Sequence, residues 1–500
     1  MLTRRSWIKN SAAAAAAAVV GGASTNALAE NAAAKKNEAD RTYDVVVLGA
    51  GTGGLIAAIE AFDQGLKPVV LEKMDWAAGN SLYASGGIAA WGTPQQKAEG
   101  HEETREAFRA DMMKVSENRA DPALVDAYVD HIGEDLEWLK TNIGVKFAKI
   151  GRKPWPLLWR MHNVEGDGLT GGARLIRYLL AAAEKRGIPV VFNQKAMELI
   201  TDEHFRVTGV KVVDDNGWGE YHARDGVVIA TGGFSANREM LCRYMGGALS
   251  RLVLRGSPYV TGENVELAGR LGAKLVHMDQ FHCGPIVEET HANPNFVIDA
   301  GVGIDVDVRG HRFMDEVYTY TQKSMATVQR TPENLAYHIL DSRWPKAAGA
   351  AKKFLAMKTK VLVADTPEEL AKKMGIELKV LVDLLKTYNE ALAAGKLKEL
   401  DPPCSLEKPT PIDQGPFYAF PFQGGITATF GGPKINARAQ IVTNEDRPIP
   451  GLYACGNAAG GLFFGNYIGG SQLGGAAVFG RIAARELAKR HKELGARTAA

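Results

Sequence analysis

A chain of 500 residues exceeds one ordinary hydrophobic core, and with 46% hydrophobic, 8% aromatic and 23% charged residues it is predicted to form two soluble globular domains. Residues 1–29 contain three charged residues, all basic, so a chain that starts at Glu30 keeps 56 of the 59 bases against 57 acids, a net charge of −1. This balance gives no electrostatic basis for binding nucleic acid or an anionic membrane.

The N-terminus has the features of a targeting segment. Thr3–Lys9 contains the paired arginines of a twin-arginine signal, the weakly apolar run Ser11–Val20 follows, and Ala27–Ala29 forms a small-residue cleavage site. The apolar run is too short and too rich in alanine to span a membrane. We therefore predict a twin-arginine signal peptide over 1–29, a linker over 30–41 and a periplasmic protein, against the alternative of a disordered basic leader.

A nucleotide-binding unit follows the linker. The predicted strand Asp44–Leu48 ends in a G-x-G-x-x-G turn formed by Gly49, Gly51 and Gly54. The first glycine makes the tight bend, the second lets a diphosphate approach the backbone, and the third lets helix and strand pack closely. Glu72 ends the returning strand, where a carboxylate can accept both ribose hydroxyls of an adenosine. The helix after the turn is predicted to face inward at Leu55, Ile59 and Phe62. The returning strand is predicted over Lys67–Leu71.

Helices and strands alternate through the middle of the chain. The elements predicted from hydrophobic spacing are helices Leu124–Asn142 and Ala173–Arg186, strands Pro189–Phe192, Val207–Val213, Glu220–Ala223 and Gly226–Ala230, and helices Glu368–Gly375 and Leu378–Ala394. From about Lys274 the pattern changes to mixed strands and then helices. The predicted domains are the first part of a dinucleotide-binding domain over 42–273, a capping or substrate domain over 274–406, the second part of the dinucleotide-binding domain over 407–490 and a tail over 491–500.

Small residues after Glu72 and a second glycine-rich signature favour FAD over NAD. Gly79-Asn80-Ser81 and Ser85-Gly86-Gly87 offer backbone amides where a flavin must lie. Near the C-terminus a strand ends at Gly456-Asn457, and Gly469–Leu473 opens a long helix whose N-terminus would stabilise an anionic reduced ring. The predicted cofactor-binding residues are Gly49, Gly51, Thr52, Gly53, Gly54, Glu72, Lys73, Gly79, Asn80, Ser81, Ser85, Gly86, Gly87, Ala230, Thr231, Gly232, Gly456, Asn457, Ser471 and Leu473.

The four cysteines, Cys242, Cys283, Cys404 and Cys455, are too far apart in sequence to form C-x-x-C. This spacing excludes a C-x-x-C-H haem site, a zinc ribbon and a ferredoxin-type cluster, and no metal site is predicted. We expect free structural thiols.

Six motifs are spread over most of the mature chain. They are the Gly49–Gly54 turn with Glu72, Gly79-Asn80-Ser81, Ser85-Gly86-Gly87, Ala230–Phe234, Gly310–Glu316 and Pro450–Asn457. Together they resemble the fumarate reductase/succinate dehydrogenase flavoprotein family, over about residues 42–488. The resemblance implies an α/β fold, in which a glutathione-reductase-type, Rossmann-like FAD-binding domain carries an inserted α+β capping domain. Two further stretches, Gly460–Gly470 and Thr429–Gly432, look most like the tricarballylate dehydrogenase branch, and two tyrosine positions resemble the 3-ketosteroid dehydrogenases.

Departures from fumarate reductase fall on the residues that the resemblance assigns to the substrate. The Gln-x-His motif is retained, so His282 is a candidate substrate contact or proton donor. The family's proton-donating arginine falls on Tyr320, and a substrate-clamping arginine falls on Tyr467. Losing two arginines removes bidentate partners for two carboxylates, so the chain is predicted not to be specific for fumarate. The other positions that differ are Asp299, Val302, Thr427 and Ala428.

The resemblance implies an enzyme that interconverts a C–C single bond and a C=C bond next to a carbonyl or carboxylate. Hydride would pass through flavin N5 and a proton through a tyrosine, so Tyr320, Tyr467 and His282 are the predicted catalytic residues. We expect a periplasmic alkene reductase. A dehydrogenase of a ketosteroid-like or tricarballylate-like substrate is the alternative, and a flavin carrier without substrate chemistry is a third interpretation, which a capping domain disfavours.

The resemblance also bears on the flavin linkage and on partners. Members with covalent flavin use a histidine, and Asn80 occupies that place, so FAD is predicted to be non-covalent. The expected partners are a small-molecule substrate and a separate cytochrome c or quinone-linked electron-transfer protein. Neither nucleic acid nor a stable membrane anchor is expected.

Overall fold

The computed structural model describes residues 41–499, so the predicted signal peptide and nearly all of the linker lie outside the described residues. The strands are, in chain order, β1 (Thr42–Leu48), β2 (Pro68–Leu71), β3 (Gly87–Ala89), β4 (Met161–Asn163), β5 (Val190–Val191), β6 (Lys195–Thr201), β7 (Val207–Asp214), β8 (Gly217–Ile229), β9 (Val253–Leu254), β10 (Leu275–Val276), β11 (Phe281–Ile286), β12 (Ile304–Asp307), β13 (Ala336–Asp341), β14 (Leu362–Ala364), β15 (Phe417–Thr429), β16 (Gly432–Pro433), β17 (Gln440–Val442) and β18 (Pro448–Ala454).

The helices include both short turns and one of 29 residues at the C-terminus. They are α1 (Thr52–Asp63), α2 (Pro94–Ala98), α3 (Arg105–Val115), α4 (Pro122–Thr141), α5 (Gly171–Lys185), α6 (Arg238–Met245), α7 (Glu263–Gly269), α8 (Asn295–Ile298), α9 (Tyr320–Arg330), α10 (Ala347–Ala356), α11 (Pro367–Met374), α12 (Leu378–Ala393) and α13 (Ser471–Ala499). Short 3₁₀ turns occur at Gly79–Tyr83, Leu249–Arg251, Leu397–Glu399 and Gly456–Ala458.

One compact unit, here called the FAD unit, comprises the described residues up to 237, residues 257–281 and residues from 428 onward. Its central sheet has the order β17-β18-β8-β1-β2-β5, and β7 and β6 extend it from β8. β1 runs parallel to both β2 and β8. The carboxyl ends of these strands therefore meet at one edge, which is where dinucleotides bind in such sheets.

Glycines allow α1 and α13 of the FAD unit to approach each other closely. A Cβ at Gly480 would lie 2.8 Å from the carbonyl oxygen of Gly53, and a Cβ at Gly53 would lie 2.9 Å from Cys455 Sγ. Both contacts are closer than a side chain tolerates, so the packing depends on the absence of side chains at these positions. This contact brings the start of α1 beside the C-terminal helix.

The second compact unit, here called the capping unit, comprises residues 238–256 and 282–427. Its six-stranded sheet has the order β11-β15-β13-β12, with β14 and β9 also paired to β15. β15 is 13 residues long and pairs with β11, β13, β14 and β9, whereas β12 pairs with β13, and the residues of β15 are almost all buried. The sheet forms around this one strand because its run of aromatic and β-branched residues buries well on both faces.

Buried charges lie inside the capping unit. Lys323 is 1% exposed, and its ammonium group donates to Asp305 Oδ2 at 3.0 Å and to the carbonyl oxygen of Ile298 at 2.6 Å. His338 Nδ1 lies 2.8 Å from the other oxygen of Asp305. Burial by itself would raise the pKa of Asp305, but Lys323 and His338 outweigh it and lower the pKa to about 2. The Asp305 carboxylate thus holds two interior side chains together.

Four details of the fold differ from the sequence-based expectations. Phe62 is 40% exposed, and Asp63 after it is exposed as well, so the C-terminal end of α1 lies at the surface. The predicted strands at 220–223 and 226–230 form one strand, β8, which pairs with β7 in its first half and with β1 in its second. The segment 491–499 continues α13 instead of forming a separate tail. The capping unit includes 238–256 and 407–427, because β9 and β15 pair within its sheet.

All four cysteines are free thiols, and Cys283, Cys404 and Cys455 are buried. Within residues 41–499, none of the helices combines the length and the apolar character that crossing a bilayer requires.

Candidate active site

The glycine-rich turn of the FAD unit has the geometry of a dinucleotide cradle. Gly49 has φ +106°, and a Cβ there would lie 2.6 Å from the carbonyl oxygen of Ala230. A Cβ at Gly54 would overlap the carbonyl oxygen of Gly49. At Gly51, in contrast, the nearest atoms to an added Cβ are 3.8 Å away or more, an ordinary van der Waals distance, so the surrounding chain does not crowd this position. Two glycines are thus required by packing, and the third leaves room for a diphosphate.

The hydroxyl of Ser81 supports the first residue of α1. The backbone N–H of Thr52 donates to Ser81 Oγ at 3.2 Å, and the Thr52 hydroxyl donates to the same atom at 2.9 Å. Ser81 lies in the 3₁₀ turn Gly79–Tyr83, so this turn and the helix N-terminus are held side by side. The two predicted cofactor residues are therefore brought together at the end of the helix that favours an anion.

Glu72 lies at the end of β2, and its carboxylate faces the turn. Oε2 accepts from the backbone N–H of Ala50 at 2.9 Å, and Oε1 accepts from that of Met74 at 3.0 Å. Burial raises the pKa of Glu72, and the two N–H donors oppose that rise. A carboxylate oxygen has lone pairs beyond those used here, so the group can still accept ribose hydroxyls.

Lys73 is engaged within the protein. Its ammonium group forms an ion pair with Glu263 at 2.6 Å and donates to Thr261 Oγ1 at 2.7 Å. Burial alone would raise the pKa of Glu263, but the interaction with Lys73 lowers it overall. The geometry assigns Lys73 to an internal ion pair, and its predicted contact with a cofactor stays a prediction.

The second glycine-rich signature, near the C-terminus, contains the buried side-chain amide of Gln472. Asn457 Nδ2 donates to Gln472 Oε1 at 3.0 Å, which leaves Gln472 Nε2 buried and without a hydrogen-bond partner among the described residues. Ser471 uses its own hydroxyl on the carbonyl oxygen of Ile468 at 2.6 Å. A buried amide donor that lacks an acceptor fits a bound group that supplies one. Gln472 was missed from the sequence, although it lies between the predicted Ser471 and Leu473.

The remaining small residues have packing roles that the structure makes explicit. A Cβ at Gly86 would overlap Gly171 at the start of α5, so this glycine lets the turn pack on the helix. Gly79 has no atom within 4 Å of an added Cβ. Asn80 Oδ1 accepts from the backbone N–H of Ser257 at 2.7 Å. Non-covalent FAD stays a prediction, and release of the yellow colour by acid precipitation would support it.

The capping unit brings two predicted catalytic residues together. His282 Nε2 and the Tyr320 hydroxyl lie 3.1 Å apart, with the rings edge to face at a centroid distance of 5.9 Å. Burial, and next the charge of Arg255, lower the pKa of His282 to about 3. Burial raises the pKa of Tyr320. At neutral pH the pair is therefore a neutral imidazole beside a protonated phenol.

Arg255 lies beside this pair and was not predicted as a site residue from the sequence. Its Nη1 donates to Thr427 Oγ1 at 3.3 Å, and its backbone N–H donates to the carbonyl oxygen of Ile426 at 2.8 Å. Thr427 is one of the positions where the resemblance implies a histidine in fumarate reductase. No motif surrounds Arg255 in the chain, so only the pairing of β9 with β15 reveals its place.

Tyr467, the third predicted catalytic residue, belongs to the FAD unit. Its ring packs edge to face on Phe430 at a centroid distance of 5.7 Å and lies 5.7 Å from Phe463. Its backbone N–H donates to Asn466 Oδ1 at 2.9 Å. These contacts fix the ring within an aromatic cluster.

Comparison with known proteins identifies the family. Residues 44–473 match the family described as FAD binding domain. The chain is 32% identical over 468 residues to the NADH:fumarate oxidoreductase of Klebsiella pneumoniae (strain 342), covering 93% of this chain and 50% of that protein. It is 30% identical over 476 residues to the fumarate reductase (cytochrome) of Shewanella frigidimarina, covering 93% and 80%. It is 27% identical over 454 residues to the urocanate reductase of Eggerthella lenta, covering 88% and 73%. The chain thus spans half the length of the first of these relatives.

Two solved structures are similar over most of the chain. One is the open conformation of a flavocytochrome c3 fumarate reductase, with TM-score 0.81, 28% identity, and 94% of this chain and 81% of that chain covered. The other is the 3-ketosteroid-Δ4-(5α)-dehydrogenase of Rhodococcus jostii RHA1, with TM-score 0.72, 27% identity, and 89% and 97% covered.

These findings confirm the predicted α/β FAD-binding fold, the cofactor FAD and an FAD-dependent oxidoreductase that acts on CH–CH groups. The cradle at Gly51, the carboxylate of Glu72 and the buried amide of Gln472 fit that cofactor. The chain belongs to the FAD binding domain family, among flavoproteins of the fumarate reductase type.

Proposed function

We propose that this protein reduces an activated alkene other than fumarate, and that Tyr320 donates the proton. The observation that carries the proposal is the 3.1 Å contact between Tyr320 and His282, at a position where the resemblance implies an arginine in fumarate reductase. Reductases of fumarate and urocanate among the relatives support the reaction class. The two tyrosines at arginine positions argue against fumarate itself as substrate.

The protonation states of the pair suit a reduction. A phenol whose pKa is raised stays protonated at neutral pH, so Tyr320 starts as an acid and can give its proton to the carbon next to a carbonyl or carboxylate. His282 stays neutral because its pKa is about 3, so it orients the phenol through a hydrogen bond and does not act as an imidazolium donor. Bound FAD supplies the hydride chemistry.

Dehydrogenation of a ketosteroid-like or tricarballylate-like substrate is the second candidate, supported by the similarity to a ketosteroid dehydrogenase. In that direction the tyrosine must accept a proton, so the phenolate is the active form. The rate of a dehydrogenase would rise with pH toward the raised pKa of Tyr320, whereas the rate of a reductase would fall above it. The pH dependence of the chemical step therefore separates the two directions.

The test is Tyr320→Phe, which removes the acid and keeps the ring. Anaerobic stopped-flow mixing of chemically reduced holoenzyme with unsaturated acids and enones measures reoxidation. Turnover should fall by about 10²–10⁴-fold with little change in substrate binding or FAD content. Tyr318→Phe, two residues earlier, is the matched control and should keep normal turnover. A Tyr320→Phe enzyme with near-normal turnover would move the proton donor to Tyr467.

Location and electron supply form part of the proposal. We infer that the protein is exported to the periplasm by the twin-arginine route and receives electrons from a separate cytochrome c or quinone-linked protein. The paired Arg4 and Arg5 support export, and the name of the fumarate reductase (cytochrome) relative supports a cytochrome donor. Arg4→Lys with Arg5→Lys keeps the charge and should abolish periplasmic flavoprotein, while Lys9→Arg should not. Unchanged export of the double variant would refute the signal.

A further inference from the structure

The side chain of Arg255 runs through a passage between two glycines. A Cβ at Gly425 would lie 2.7 Å from Arg255 Cγ, and a Cβ at Gly284 would overlap Nη1 and lie 2.8 Å from Cζ. The same Cβ at Gly284 would lie 3.2 Å from ring atom Cδ2 of Tyr320. These glycines lie on the neighbouring strands β11 and β15. The sheet thus lacks side chains where the guanidinium passes beside the phenol.

This arrangement places a fixed positive charge beside a proton donor. The charge of Arg255 acts on both members of the pair, since it disfavours protonation of His282 and favours ionisation of Tyr320. A guanidinium keeps its charge at every physiological pH and presents N–H groups in a planar fork that matches a carboxylate. Thr427, which accepts from one end of the fork, fixes its orientation.

Resting on the proposed function, we propose that Arg255 binds the carboxylate of the substrate, and that the substrate is an α,β-unsaturated monocarboxylate. The single guanidinium beside the proton donor can pair with one carboxylate and neutralise its charge. A dicarboxylate such as fumarate needs a second cationic partner, and tyrosine stands at both positions where the resemblance implies arginine. The remainder of the substrate is therefore uncharged.

The chemistry gives the cation a role beyond binding. In the proposed reduction, bound FAD would supply a hydride to the β-carbon, and the π electrons of the C=C bond would move toward the carboxylate. The α-carbon would then take the proton of Tyr320, which leaves a phenolate, and a proton from solvent would restore the phenol. Negative charge grows on the carboxylate oxygens as hydride adds, so a guanidinium there stabilises the transition state more than the ground state.

The experiment compares acids with their amides, which have nearly the same shape but no charge. The probes are acrylate and acrylamide, trans-cinnamate and cinnamamide, and the neutral enone 4-androstene-3,17-dione, each mixed with anaerobically reduced holoenzyme. The variants are Arg255→Gln and Arg255→Lys. Arg309→Gln, an exposed arginine of the same unit, is the matched control. FAD content and thermal midpoint are measured for every variant.

For Arg255→Gln we expect kcat/KM for the acids to fall by about 10²-fold or more, while that for the amides changes by less than about threefold. Arg255→Lys should recover part of the loss, because it restores charge without the fork. Binding provides a readout without turnover: titration of oxidised holoenzyme with 3-phenylpropionate should perturb the flavin spectrum in wild type and not in Arg255→Gln.

The possible failures are distinguishable. Reoxidation by the amides or the steroid in preference to the acids, or equal losses for acids and amides in Arg255→Gln, would overturn the carboxylate assignment and leave alkene reduction standing. If none of the five probes reoxidises the wild-type protein, the proposed function itself fails. If Arg255→Gln loses FAD or does not fold, Arg255→Lys decides, since a structural role predicts parallel losses for both probe classes.

Discussion

The two units of this protein are specified in different ways. In the FAD unit, function depends on backbone placed by glycine, as at Gly49 and Gly54, where any side chain would meet a carbonyl oxygen. In the capping unit, charged and polar side chains from different elements lie in contact, such as Lys323 with Asp305 and Tyr320 with His282, and the proposed function rests on the second pair. Backbone constraints leave a short motif in the sequence, whereas side-chain clusters assembled from distant strands leave none.

The largest effect should come from adding one methyl group in the FAD unit. In Gly54→Ala the new Cβ overlaps the carbonyl oxygen of Gly49, which is backbone and cannot move without opening the turn. We expect purified protein that lacks FAD, measured by absorbance after gel filtration. Gly151→Ala is the matched control, because Gly151 does not have a positive φ and no atom lies within 4 Å of the added Cβ. Full FAD content in Gly54→Ala would contradict the conclusion that FAD binding in the FAD unit depends on backbone placed by glycine.

In the capping unit, the corresponding change removes a charge. Asp305→Asn leaves the ammonium of Lys323 buried without its carboxylate, which should lower the free energy of unfolding by about 3–5 kcal/mol. Asp383→Asn, which breaks an exposed ion pair with Lys379, should have a far smaller effect, because water screens charges at the surface. Urea unfolding followed by circular dichroism measures both. Equal losses of unfolding free energy in the two variants would contradict the conclusion that the buried charges stabilise the capping unit.

The lowered pKa of Asp305 also predicts how the stability of the protein changes at acidic pH. Its pKa is lowered from 3.8 to about 2 in the folded protein, so its contribution is present above pH 4 and is lost as the pH falls toward 2. The difference in unfolding free energy between wild type and Asp305→Asn should therefore shrink over that interval. Unfolding curves at several acidic pH values measure this difference, and a constant difference would exclude the carboxylate as its source.

A smaller effect on FAD binding is expected from a change at Glu72, whose side-chain carboxylate accepts hydrogen bonds from two backbone N–H groups. In Glu72→Gln one amide N–H group must face the N–H of Ala50 or of Met74, which costs about 1–3 kcal/mol and removes one acceptor for ribose. FAD affinity, measured by fluorescence during reconstitution, should weaken about 10- to 100-fold at this cost. Unaltered affinity would mean that the Glu72 carboxylate serves only the turn.

The smallest expected effect is an absence of pH dependence. His282 has a pKa of about 3 and the pKa of Tyr320 is raised, so neither changes its protonation state between about pH 5 and 9. The chemical step of alkene reduction, measured by single-turnover stopped flow, should be flat across this range. A rate that rises steadily with pH would favour dehydrogenation, and a fall centred near pH 6.5 would assign the proton to a histidine.

The sequence by itself determined the FAD unit, the cofactor and the enzyme class. A G-x-G-x-x-G turn followed by Glu72 requires a particular backbone path, and local constraints of this kind can be read within 30 residues of chain. The resemblance also predicted His282 and Tyr320 as catalytic residues, and the structure places the two side chains 3.1 Å apart, while their role stays a prediction. Helical spacing predicted Phe62 to face inward, but spacing alone does not show that the C-terminal end of α1 lies at the surface.

Only the tertiary structure decided the neighbours of Tyr320, the proposed proton donor. Arg255 approaches Tyr320 because β9 pairs with β15 across 170 residues of chain, and because Gly284 and Gly425 leave the passage open. Gln472 became a candidate only when its amide proved buried without an acceptor. The physical reason is common to both: electrostatic and hydrogen-bond interactions depend on distances of a few ångström between residues that no sequence spacing fixes.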